Sequence, residues 1–181
     1  MNLFARFIAL MVISGSSATL SAESTSPSPP PPTPGCSSEE HRQFDFWVGE
    51  WEVFNPDGKK VGENSITKVL DGCALHENWI SESPFRGNSY NIYDASRGVW
   101  HQSWVDNTGT LLQLEGGIKD GAMELAGETQ SEKGKLLNRI RWTQEEEHVR
   151  QVWQVSQDDG ENWNTIFDGL YKPKQQETAN E

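Results

Sequence analysis

Basic residues are scarce in this chain. Fifteen Lys and Arg stand against 27 Asp and Glu, a formal net charge of -12 over 181 residues. That balance excludes the basic footprint of a nucleic-acid binder. It also disfavours anionic membranes and polyphosphates as partners. Cysteine is nearly absent, with only Cys36 and Cys73, and their spacing excludes a CxxC redox motif. The four histidines, His41, His76, His101 and His148, show neither HxH nor HExxH spacing, so no metal site is expected. No Gly-x-Ser-x-Gly elbow is present, and no cofactor is expected. No apolar run approaches the roughly 20 residues that a membrane-spanning helix needs.

What is present begins with an export layout. Arg6 precedes an apolar run from Phe7 to Ile13, and small residues follow up to Ala22. This pattern is that of a cleavable signal peptide over residues 1–22. Residues 23–35, Glu23 to Gly35, are rich in Pro and Ser and read as an extended linker. The expected location is periplasmic or secreted, with no membrane contact after cleavage. An oxidising compartment permits a disulfide, and two cysteines allow one intramolecular pairing, Cys36–Cys73.

The remainder reads as one domain over residues 36–171, followed by a polar, unstructured tail over 172–181. Ser37 to Phe46 reads as a short N-terminal helix capped by Ser37 or Ser38, with Phe44 and Trp47 directed at a core. From Trp51 onward the apolar period switches to two. Strand-like stretches alternate with Asn55-Pro56-Asp57-Gly58, Asp71-Gly72, Ala95-Ser96-Arg97-Gly98, Asp106-Asn107-Thr108-Gly109, Asp120-Gly121 and similar turn signals. Roughly ten strands at regular spacing, with no long helical pattern between them, predict an all-β antiparallel fold. A meander of near-equal strands closes most economically into an up-and-down barrel, because closure removes exposed edges.

Gly49-Glu50-Trp51 resembles the Gly-x-Trp signature that opens lipocalins and related calycins, where the Trp closes the barrel base. A longer pattern starts at His41 and includes Phe44-Asp45-Phe46-Trp47-Val48-Gly49-Glu50-Trp51. It continues through Gly72-Cys73-Ala74, Glu77-x-Trp79, Asn91-x-Tyr93-Asp94, Trp100-x-Gln102-x-Trp104-Val105-Asp106 and Phe167-Asp168-Gly169-x-Tyr171. It is similar to an uncharacterised family of secreted bacterial domains. The resemblance implies export and a single calycin-like domain, and it brings no activity with it.

The constellation that bears on function is an alternation of polar and aromatic residues two apart. Glu77 with Trp79, Asn91 with Tyr93, Gln102 with Trp104, and Gln151 with Trp153 each share a strand face, as do Arg139 and Arg141. Inward positions of a purely structural core favour Leu, Val and Ile. If these faces point inward, they line a Trp-walled cavity for a small flat ligand, and Arg141 would favour an anion. The alternatives are that these faces point outward, or that Glu77 and Arg141 form a buried structural ion pair. The stretch Ser156-Gln157-Asp158-Asp159-Gly160-Glu161-Asn162-Trp163 is similar to the Asp-box of sialidases and reads as a structural turn.

The first expectation is therefore an extracytoplasmic barrel that binds a small molecule. A carbohydrate-contacting module with exposed Trp platforms is the second. The third is a hydrolase or isomerase with Glu77 or Asp45 as base and Arg141 holding the anion. The position of the tryptophans separates the first and third from the second.

Overall fold

The computed structural model describes residues 35–175. The expected signal segment, nearly all of the expected linker and the end of the expected tail lie outside them. The described chain forms ten strands: β1 (Gly49–Phe54), β2 (Lys60–Val69), β3 (Ala74–Ser81), β4 (Arg86–Asp94), β5 (Val99–Asp106), β6 (Leu111–Lys119), β7 (Ala122–Ser131), β8 (Gly134–Glu145), β9 (His148–Ser156) and β10 (Asn164–Pro173). Each pairs antiparallel with its neighbours in sequence, and β10 returns to pair with β1, closing the up-and-down barrel.

The turns form where their chemistry demands. In the β1–β2 turn Gly58 takes φ 78°, which its missing side chain permits. Its N–H donates to the Asn55 carbonyl, and the Asn55 side chain accepts from Lys59 N–H. Between β9 and β10, Asp158 accepts from Asn162, Gly160 takes φ 90°, and Trp163 Nε1 donates to the Gly160 carbonyl at 3.0 Å. The Asp-box-like stretch is thus a hairpin clasp, reinforced by Arg139 stacked over Trp163.

The short helical segment before β1 takes the 3₁₀ form, in two turns, Glu40–Arg42 and Asp45–Trp47. Ser38 does not cap the backbone; its hydroxyl engages the side chains of Glu40 and His41. So short a segment cannot sustain a helix by its own hydrogen bonds, and tertiary packing sets its shape. Phe44 and Trp47 are fully buried in one end of the barrel. There Phe44 stacks on Trp47 and meets Trp100 and Trp142 edge-on. Trp51 is buried beside them and donates its indole N–H to the Trp47 carbonyl at 2.9 Å. Cys36 and Cys73 form a disulfide that ties the entrance of this plug to the β2–β3 connection.

At the other terminus the strand runs past the expected boundary at Tyr171. Lys172 and Pro173 pair with Glu52 and Trp51, and Lys174 N–H donates to Glu50. The reason is closure: the last strand must run along β1 to leave no open edge.

Candidate functional site

Inward positions change character along the barrel. Around the plug they are apolar: Ile66, Leu75, Trp100, Leu114, Met123 and Leu125 are all buried. Further along they turn polar, with Asn64, Glu77, Ser89, Asn91, Gln102 and Gln151 buried in the interior. Beyond this polar floor the interior is hollow. A cavity of about 470 Å³ opens between the β1–β2, β3–β4 and β9–β10 ends, walled by Trp79, Trp104, Trp142, Trp153, Phe85 and Phe167. That volume lies within the roughly 300–1,000 Å³ of small-molecule sites.

Two glycines let the walls form. A Cβ on Gly62 would lie 2.6 Å from the Trp79 ring, and one on Gly87 would lie 2.0 Å from the Trp104 ring. Each indole therefore lies flat against bare backbone. Trp79 meets Phe167 edge-on at 5.9 Å, and Phe85 stacks on Trp104 at 6.4 Å between centroids.

The floor is one hydrogen-bonded network. Glu77 accepts from Asn64 Nδ2 at 2.8 Å through one oxygen and from Ser89 Oγ at 2.6 Å through the other. Asn91 donates to Ser89, and Gln102 Nε2 donates to Asn91 Oδ1 at 2.9 Å. On the other side Tyr171 donates to Gln151 Oε1, which also accepts from Trp142 Nε1 at 3.0 Å. Asn64 lies 3.3 Å from the Tyr171 hydroxyl and joins the two halves. Burial raises the Glu77 pKa to about 7, against the lowering effect of its Ser89 and Asn64 hydrogen bonds. Burial likewise holds the Tyr171 phenol well above its ordinary value, with the nearby Glu77 charge adding to the effect.

Of the residues that alternation singled out, Glu77, Trp79, Gln102, Trp104, Gln151 and Trp153 line the cavity. Asn91 is fully buried and supports Gln102 without lining the space. Tyr93 lies at the plug end, against Trp100 and His41.

Arg141 is not in the barrel. Inward positions of β8 are Asn138, Ile140 and Trp142, so Arg139 and Arg141 face outward. There Arg141 pairs with Glu124 at 3.2 Å, and the expected anion holder and Glu77–Arg141 ion pair are both absent. Asp45 belongs to the plug, where it pairs with Lys68 at 2.6 Å, so it is no base for a cavity ligand. None of the eight tryptophans is exposed, which removes the outward Trp platform of a carbohydrate module. The histidines take no part: His76 bonds Asn88 and His101 bonds Glu115 and Ser103. No Lys, Arg or His lines the cavity among the described residues.

Asn64, Ser89, Trp142 and Tyr171 are site residues that the pairwise alternation missed. Each had a signal. Asn64 is a polar residue in phase with Gly62 and Ile66, Ser89 in phase with Asn91, Trp142 in phase with Ile140, and Tyr171 in phase with Phe167.

The chain matches no family model, and no curated protein shows significant similarity to it.

Proposed function

We propose that this protein is an extracytoplasmic barrel that binds a small organic ligand. The observation that carries the reading is the aromatic-walled cavity of about 470 Å³ above a polar floor. Apolar walls supply affinity through desolvation, and few fixed polar groups orient the guest. The Cys36–Cys73 disulfide and the export-type first segment support an oxidising compartment, periplasmic or secreted.

A second reading has one observation in its favour. A carboxyl group raised to about 7 inside a cavity suits a general acid or base at neutral pH. A hydrolase or isomerase also needs a group to stabilise the negative charge that base catalysis builds. With Arg141 outside the barrel, no cationic side chain among the described residues fills that role. Binding is the better-supported activity.

The test is native mass spectrometry of protein purified from its own host, followed by denaturation. A small molecule retained by the folded protein and released on unfolding is the expected result. A bare protein mass, with no change in Trp fluorescence or melting temperature across a library of small aromatic compounds, would defeat the reading. Recovery of the ligand in chemically altered form would favour the enzyme.

A further inference from the structure

We infer that the cavity selects an organic cation, a protonated or quaternary amine carrying an apolar body. This deepens the binding reading and rests on it. The polar floor is electrostatically unbalanced. Glu77 is fully inside the barrel, and its hydrogen-bond partners are the neutral groups Asn64 and Ser89. A buried carboxylate is ordinarily matched by a cation, and the barrel lining supplies none among the described residues.

The surrounding polar atoms lean the same way. Asn64 Oδ1 is buried with no donor. Gln102 donates to Asn91 and Ser89, which leaves its carbonyl oxygen without a donor among the described residues. The opposing free donors are neutral: Gln151 accepts through Oε1 and keeps Nε2 unpartnered among the described residues, and the indole N–H groups of Trp79 in the wall and of Trp47 in the plug beneath are likewise unpartnered among them. The floor therefore offers negative and acceptor character with no positive counterpart. An ammonium group supplies what is missing.

The walls fit the same guest. Trp79, Trp104, Trp142, Trp153 and Phe167 surround the space above Glu77. Aromatic faces carry partial negative charge and attract cations within about 6 Å, Trp most strongly. A carboxylate beneath a ring of indoles matches both parts of an organic ammonium, the charge and the apolar substituents. The chain's net charge of -12 further draws cations toward it and repels anions.

Ionisation makes a second signature. The groups packed on Glu77 are Asn64 from β2, Ser89 from β4 and, through Asn64, Tyr171 from β10. Asn64 and Ser89 do not titrate near neutrality, and the Tyr171 phenol stays protonated there. Asp168, which lines the mouth of the cavity, is paired with Arg150. Affinity for a permanent cation therefore rises from pH 6 to pH 8 as Glu77 ionises, while affinity for a neutral guest of the same shape stays flat.

The experiment compares three probes on the full exported protein at pH 8, read by calorimetry and Trp fluorescence. They are phenyltrimethylammonium, its neutral isostere tert-butylbenzene, and benzoate. The expected result is that the cation binds at least about tenfold tighter than the isostere. That preference should disappear in Glu77→Gln while the isostere binds as before. Should Glu77→Gln fail to fold, the wild-type comparison and its pH dependence decide alone. If tert-butylbenzene or benzoate binds as well as the cation, the cation inference fails and the binding reading stands. If none of the three binds, the cation inference fails, and the binding reading falls only if the native protein also carries no retained small molecule.

Discussion

The two ends of this barrel are built from the same ten strands and the same alternation, yet one is solid and the other hollow. At the plug end, Phe44 and Trp47 enter from outside the sheet and fill the space between Trp100, Trp142 and Tyr171. Among the described residues no such segment enters at the mouth, and large side chains line the wall around an open space. Closing a barrel of this size does not fill it. Whether an end becomes core or site depends on a segment outside the strands.

The largest expected effect tests that contrast directly. Phe44→Ala should cost about 3–5 kcal/mol in denaturant unfolding, because it empties a closed, fully packed site. Trp104→Ala should cost less than half as much, since one face of its ring already borders open cavity. Equal losses at the two positions would break the contrast.

The disulfide belongs to the solid end. Cys73→Ser should cost about 4 kcal/mol, the loop-entropy value for a separation of 37 residues. Its effect should fall on stability and leave ligand binding at the far end unchanged. Urea melts of the oxidised protein and the variant check the first point, and calorimetric titration of both with the same small-molecule probe checks the second.

Between the two ends lies Glu77, and its ionisation sharpens the boundary. Its pKa rises from an ordinary 4.5 to about 7 on folding, so the folded state holds the proton more tightly than the unfolded chain. Stability from this group is complete below about 4.5 and is lost as pH climbs through 7. The loss should total about 3 kcal/mol. Glu77→Gln should flatten that stretch of the stability–pH curve. A wild-type curve that rises between pH 5 and 8 would contradict the burial of an unpaired acid.

The smallest effect is expected at Gly87. Gly87→Ala pushes a methyl into the Trp104 ring. The indole can swing aside into the hollow, so the cost should be about 1–3 kcal/mol. Trp fluorescence should shift and the cavity should lose affinity for its guests. Unchanged fluorescence would show that Trp104 does not lie on Gly87.

Much of this was legible in the residues. The strands could be read because Gly, Asp and Asn turns punctuate stretches of period two, and the turns formed where Asn55-Pro56-Asp57-Gly58 and Asp120-Gly121 stand. Alternation also paired Glu77 with Trp79 and Gln102 with Trp104. It could not say which face of a strand is inside, because period two fixes only relative sides. On β8 the pair Arg139 and Arg141 shows the same spacing as Gln151 and Trp153 on β9, yet it lies outside. The opposite phase of β8 held the answer in Ile140 and Trp142. Hydrogen bonds between distant strands, such as Asn64 to Tyr171, leave no mark in local pattern at all.

That last contact has a consequence for how the molecule comes into being. Asn64 and Tyr171 stand 107 residues apart in the chain, and β1 waits for β10 to complete its sheet. Local hairpins can form as the polypeptide emerges, but the seam between first and last strands closes only when the final segment arrives. Non-local closure of this kind is slow. The floor of the cavity spans that seam, so the pocket is among the last features to assemble. A chain truncated before Tyr171 would leave β1 an open edge and the pocket without its far side.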